Sequence, residues 1–250
     1  MLSILKILYH QGKQFIPNVR TAQVPGIFRG RPVISTNQVN ETELVDLCPM
    51  NAISSNPVSI DLGKCSFCGE CALKFPEKIT FTTDYKISTN ERERLIVKEG
   101  DDFAIEVNPA TVRSEIRKIF GKSLKLRQVS AGGDNSCEWE LNAANNVQFD
   151  MSRFGIEFVA SPRHADGIAI TGPITQNMAK ALEIAYNATP DPKIIVLVGT
   201  DAISGGIFAD SPALDRSFLE NHTVDLYIPG NPAHPLTIIN GLIDLTRKTK

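Results

Sequence analysis

Four of the five cysteines in this 250-residue chain fall between positions 48 and 71, as Cys48-Pro49 and then Cys65-x2-Cys68-x2-Cys71. That is the spacing of a metal site, and it commits the segment to fold around one. Two other readings compete: a structural zinc site with four thiolates, and a disulfide pair. Zinc leaves the Cys-Pro element unexplained, so a [4Fe-4S] cluster on Cys48, Cys65, Cys68 and Cys71 is the expectation.

The run resembles the bacterial ferredoxin signature C-x2-C-x2-C-x3-C-P, in which three close thiolates hold one cluster and the fourth serves the other cluster of a pair. One half of the pair is missing here. Counted back from Cys48, the first run has Leu44, Glu41 and Gln38 at its other ligand positions, and Phe75-Pro76 ends the second run. None of these replaces a thiolate, and all would have served one cluster, so one complete cluster remains. Phe75 is expected to pack where the lost cluster stood. The segments 47–54 (LCPMNAIS) and 74–81 (KFPEKITF) read as the two matching halves of the ferredoxin pseudo-repeat.

Composition narrows the class. Hydrophobic residues make up 42% of the chain, which excludes disorder, and 26 Lys and Arg against 28 Asp and Glu leave a net charge of −2. Without a basic stripe, a nucleic-acid partner is not expected. No apolar stretch approaches the ~20 residues that span a bilayer, so membrane association is expected to be peripheral. Residues 1–9 are apolar but interrupted by Lys6, unlike a secretory signal, and a cytoplasmic location is the expectation.

Four regions follow along the chain. Residues 1–34 read as an arm with a short amphipathic helix, apolar at Leu2, Leu5, Leu8 and Tyr9; it either caps its own domain or docks on a partner or a membrane surface. Residues 35–85 read as an α+β ferredoxin-like unit, and 86–121 as a charged connector with a helix over 111–120. From 122 to 250 short β-branched runs alternate with helical patterns. Strands are expected at 124–129, 156–160, 167–171, 193–198 and 226–228, and helices at 138–146, 176–186 and 236–246. That alternation implies a parallel sheet covered on both faces, with functional loops 131–137, 161–166, 199–208 and 229–235 at its carboxyl edge.

Those loops resemble the small subunit of membrane-bound [NiFe] hydrogenases and the B-type (20 kDa) subunit of complex I. The residues carrying the likeness are Gly132-Gly133-Asp134-Asn135-Ser136-Cys137-Glu138, residues 161–167 (SPRHADG) with Thr171-Gly172-Pro173, residues 198–206 (VGTDAISGG) and residues 229–235 (PGNPAHP). The arm and ferredoxin unit, with Phe28-Arg29-Gly30, resemble the ferredoxin-type subunit of formate hydrogenlyase-like complexes, so the chain looks like a fusion of two electron-transfer subunits. The resemblance implies a flavodoxin-like α/β domain. It also implies a second cluster site with ligand positions at Asp134, Cys137, Asp201 and Asn231. Only Cys137 keeps the thiolate, and this degenerate site should not assemble a cluster. A hard cation on Asp134 and Asp201 is the lesser alternative to an empty remnant. By the same resemblance Arg163 and His164 would face the former cluster or a partner, the bland reading being a loop-fixing pair. Glu138 would be a helix N-terminal cap or part of a proton route, and Trp139 core or interface.

The function implied is an iron-sulfur subunit of a membrane-bound hydrogenase-related or complex I-related oxidoreductase. It would be peripheral on the inner face of the cell membrane through a hydrogenase-large-subunit-like protein and membrane subunits. The alternative is a non-redox structural or coupling subunit of an ion-translocating complex. A stand-alone ferredoxin would have no reason to carry the α/β domain, and no phosphate-cradling loop supports a flavin site.

Overall fold

The computed structural model describes residues 2–12 and 14–247; the side chain of Leu2 lies outside the described residues. In the first part of the chain, α1 (Leu2–Gln11) precedes β1 (Pro32–Ile34), α2 (Glu41–Asp46), β2 (Ile53–Ser54), β3 (Ser59–Asp61), α3 (Glu70–Lys74), β4 (Ile79–Phe81) and β5 (Ile96–Lys98). Strands β1 and β4 pair antiparallel, and β3 lies between β2 and β5 in an antiparallel sheet. Asn40 starts α2 as its N-cap, its side chain accepting the Glu43 N–H, which satisfies a donor that the first turn leaves unpaired.

The segment read as a connector, 86–121, is built into the body. It supplies β5 to the sheet, and Arg92 clamps Asp61 through two hydrogen bonds of 2.8 and 2.7 Å. Glu99 pairs at 2.5 Å with Lys78, a side chain buried to 1% exposure that also donates to the Asn37 carbonyl. A buried ammonium needs such partners, because leaving it unpaired would cost several kcal/mol (about 3–5). The helix expected over 111–120 starts later, as α4 (Ser114–Phe120).

The second part comprises β6 (Leu124–Ser130), α5 (Ser136–Ala144), β7 (Ile156–Phe158), β8 (Gly167–Thr171), α6 (Gln176–Ala188), β9 (Ile194–Val198), α7 (Thr200–Ser204), α8 (Ser217–Asn221), β10 (Leu226–Ile228) and α9 (Pro235–Thr246). Its five strands are all parallel, in the order β10-β9-β8-β6-β7, the flavodoxin-like arrangement. Central strands β8 and β9, Gly-Ile-Ala-Ile-Thr and Ile-Ile-Val-Leu-Val, are buried at every residue, as a sheet covered on both faces requires. One face, with Ile168, Ile170, Ile195 and Leu197, shares a contiguous core with Ile60, Leu62, Leu95 and Val97 of the first part. The other packs Leu126, Val196, Val198 and Ile228 under α5 and α9. Helix α9 is buried nearly all round, pressed between α4, α5 and β10.

The loop 161–166 does not lie at the carboxyl edge. Strand β7 pairs only with the first three residues of β6, so it ends beside Leu126, well short of Ser130. The chain then crosses towards the amino edge, where Asp166 exchanges hydrogen bonds with Lys125. Arg163 and His164 are exposed on this crossing.

Gly241 of α9 faces Ser88 so closely that a Cβ there would lie 2.6 Å from the Ser88 Cβ. Gly241→Val should therefore push α9 from the 86–90 segment and lower stability by about 1–3 kcal/mol, read as a lower urea midpoint. An unchanged midpoint would show that this packing yields freely.

Candidate metal and electron-transfer site

Cys48, Cys65, Cys68 and Cys71 line one cavity, walled by Leu47, Ile53, Ile60 and Phe81. Cys48 follows α2, Cys65 and Cys68 flank a loop in which Phe67 adopts a left-handed φ of 57°, and Cys71 lies in the first turn of α3. Backbone N–H groups of Ala52 and Phe67 donate to the sulfurs of Cys48 and Cys65, each at 3.3 Å. The strained Phe67 backbone is what aims its amide at sulfur. Burial and the neighbouring thiols push the Cys65 thiol up to about 12, against the lowering Phe67 N–H, and burial is the main cause raising Cys71 to about 11. Cationic iron would reverse that cost by stabilising the thiolates. Among the described residues no three His, Cys, Asp or Glu side chains are gathered as a site for a single metal ion. Leu44 and Phe75, at ligand positions of the missing cluster, are buried in the same apolar core.

Arg29 lies over this loop. Its guanidinium donates to the Phe67 carbonyl at 3.2 Å and passes so close to Gly69 that any Cβ there would collide with it.

The second group sits at the carboxyl edge of the parallel sheet. Cys137 enters α5 from the loop after β6, buried at 8% exposure, and its sulfur packs on the α-carbon of Gly199, which follows β9. Gly199 has φ +91°, and a Cβ there would lie 2.3 Å from that sulfur, so a glycine is required for both reasons. Burial, then Glu138, Asp201 and Asp134, raise the Cys137 thiol to about 12, although the Ala233 N–H opposes them. Burial first, then Asp134 and Glu138, also raise the Asp201 carboxyl, whose buried Oδ1 has no hydrogen-bond partner. Asp134 goes the other way, held low because Ser136 donates to it from both its hydroxyl, at 2.6 Å, and its amide. Asp134 and Asp201 thus act on the Cys137 thiol without being gathered with it as a site for a single metal ion, and the loop carrying Asn231 reaches Cys137 through the Ala233 N–H. Gly230 accepts from the Thr200 amide at 2.9 Å, while Asn231 lines a neighbouring cavity of about 380 Å³ with Phe28, Arg29, Phe67 and His234.

Several residues depart from their expected roles or carry roles that the pattern did not reveal. Glu138 is not a helix cap: its buried carboxylate reaches the strand ends and accepts from Ser130 and Thr171 hydroxyls, both at 2.6 Å. Trp139 is not core, being 70% exposed beside that edge. Thr200, fully buried, shares its hydroxyl between the carbonyls of Cys65 at 2.9 Å and Gly230 at 3.2 Å, linking the two groups directly. Arg216 donates to the carbonyls of Ala202 and Ile203, both at 2.9 Å, and of Pro173, satisfying carbonyls at the buried carboxyl end of α7.

Residues 135–245 match the family described as NADH ubiquinone oxidoreductase, 20 Kd subunit. A probable membrane-bound hydrogenase subunit, mbhJ of Pyrococcus furiosus, is 35% identical over 130 residues, covering 52% of this chain and 78% of that protein. Formate hydrogenlyase subunit 7 of Escherichia coli is 36% identical over 137 residues, 55% of this chain and 54% of the relative. Among solved structures, that of the membrane-bound sulfane sulfur reductase, an archaeal respiratory membrane complex, aligns with a TM-score of 0.43 at 31% identity. It covers 49% of this chain and 67% of the other.

His234 caps α9, its Nδ1 accepting the Leu236 N–H at 3.1 Å, and its ring lies edge-on between Phe28 and Phe149. Burial lowers its pKa from the ordinary 6.5. The unfolded chain therefore binds this proton at higher pH than the folded one, and stability from the cap is lost as pH falls through about 6.5 towards the folded value. His234→Asn keeps a capping acceptor without the titration. Between pH 7.5 and 5.5 the variant should lose less of its denaturation midpoint than the native chain, by up to about 1 kcal/mol; parallel losses would show that His234 does not titrate with folding.

Proposed function

The chain belongs to the family of the 20 Kd subunit of NADH ubiquinone oxidoreductase, and on that footing we propose that it is the iron-sulfur subunit of a membrane-bound hydrogenase-related or complex I-related oxidoreductase. Residues 35–85 form its ferredoxin-like unit, fused ahead of the family domain over 122–250, with 86–121 joining them. The β-α-β-β-α-β order of residues 32–81, with its outer strands paired, supports that reading. Cys48, Cys65, Cys68 and Cys71 hold one [4Fe-4S] cluster, which supplies one-electron transfer when bound. The observation that carries this is the shared, apolar-walled cavity of the four cysteines, with two amides already directed at sulfur.

What the chain itself contributes is position and electrostatics. The Ala52 and Phe67 amides stabilise negative charge on the thiolates, and Arg29 brings a cation to the same loop. Leu47, Ile53, Ile60 and Phe81 exclude water. The donor set of Asp134, Cys137, Asp201 and Asn231 does not fit a second cluster, because one thiol among two carboxylates and an amide is too hard for iron-sulfur chemistry. That misfit favours a second reading, a structural or coupling subunit of an ion-translocating complex in which the first cluster acts as a staple. Its partners are a hydrogenase-large-subunit-like protein and membrane subunits, with the chain peripheral on the inner face of the cell membrane.

Full-length protein purified without oxygen should contain about four iron and four sulfide per chain. Cys65→Ala or Cys71→Ala should lose most of the iron, whereas Cys137→Ala should keep it. Stoichiometric zinc without sulfide would end the iron-sulfur reading, and equal loss in Cys137→Ala would mean that the ligands lie elsewhere. Within the isolated complex, a cluster that is reduced and then reoxidised during turnover supports electron transfer; one that stays reduced favours the structural role.

A further inference from the structure

Every Asp and Glu of the chain lies after residue 40, whereas five Lys and Arg lie before it. That acid-free arm begins with α1, whose described side chains are all exposed, including Ile4 at 62%, Leu5 at 58%, Leu8 at 58% and Tyr9 at 91%. At 100° per residue, Ile4, Leu5, Leu8 and Tyr9 share one arc of the helix and Ser3, Lys6 and His10 the opposite one, with the exposed Ile7 at the border beside Ser3. Gly12, at φ +64°, ends the helix, its amide returning to the Leu8 carbonyl. Four residues later the chain is fastened to the body, where Ile16 donates to Gln148 and accepts from Arg153. Helix α1 is thus a tethered element with an apolar face that its own body leaves uncovered.

The geometry points to a bilayer with anionic headgroups as the occupant of that face: α1 lies in the membrane interface, apolar arc inward, with Lys6 and His10 towards the headgroups. Charge selects this occupant. Arg20 and Arg31 are held by Asp244 and the Asp101 carbonyl, but Lys6 stands on the helix itself with no acid anywhere in the arm to oppose it. One lysine with Ser3 and His10 on the polar face, and Leu, Ile and Tyr on the other, fit an interfacial helix, and Tyr9 suits the boundary between acyl chains and water. The full chain would then touch lipid directly, besides any attachment through partner subunits. This inference stands whether or not the cysteine cavity holds a cluster.

Co-sedimentation of the full chain with vesicles tests it. Binding to phosphatidylcholine vesicles containing phosphatidylglycerol should be about tenfold tighter than to phosphatidylcholine alone, and weaker in high salt. Leu5→Asp with Leu8→Asp should lose about tenfold or more on the anionic vesicles, and Lys6→Glu about fivefold there alone. Circular dichroism and iron content should match the native chain in both variants, since these side chains are exposed. Failure of the native chain to bind anionic vesicles, equal binding to both lipids, or unchanged binding by the Leu5/Leu8 variant would overturn the proposal and leave a protein partner as the occupant.

Discussion

The buried side chain of Thr200 is the junction on which the arrangement depends. Its hydroxyl serves the Cys65 carbonyl and the Gly230 carbonyl, and its own amide donates to Gly230 as well. One residue at the end of a parallel strand therefore fixes three loops: the one carrying the cysteines, the one carrying Asp201, and the one carrying Asn231. At this buried position a lost hydroxyl would strand the Cys65 carbonyl, Gly230 keeping the Thr200 amide, at a cost of about 1–3 kcal/mol. The arrangement also explains why Gly199 precedes Thr200: the turn that points the hydroxyl towards Cys65 brings its α-carbon against the sulfur of Cys137. Arg216 holds the far end of the same loop by its carbonyls, so the loop is pinned at both ends.

Around that junction the electrostatics separate two kinds of site. In the cysteine cavity backbone amides oppose the burial that raises the Cys65 and Cys71 thiols. The other group has acids close to one another, and burial drives Asp201 and Cys137 towards their neutral forms. Hydroxyls of Ser130, Ser136 and Thr171 take up part of the hydrogen bonding of Glu138 and Asp134. These carboxylates hold the strand ends and the start of α5, and thus have structural work independent of any metal.

Some of this was legible in the sequence for physical reasons that can be named. Residues 167–171 and 226–228 are short runs that each follow an aspartate and end at Gly172 or Pro229, and both occur as strands with those limits. The alternation of strands and helices sufficed for a parallel sheet, because parallel neighbours need crossovers. Strand β5 escaped because Ile96–Lys98 follows the charged run of Arg92–Leu95; its pairing comes from β3, and its own three residues carry no period. The loop 161–166 was misplaced because the length of β7 decides which edge it reaches, and register is invisible to composition. For Trp139 the sequence leaves core and interface open, and its position in α5, which turns it outward, excludes the core. Thr200 and Arg216 act through backbone carbonyls, an interaction that leaves no pattern in side-chain type.

The shared core has a consequence for how the two groups can act. Ile60, Leu62 and Val97 beside the cysteines and Ile168, Ile170 and Leu197 of the sheet belong to one contiguous apolar interior. Close-packed interiors resist displacement, so the cysteine segment cannot swing relative to the sheet edge without opening that core. Any communication between them must then proceed through a fixed geometry, by electron tunnelling, by field, or by small adjustments carried through Thr200, and not by domain motion.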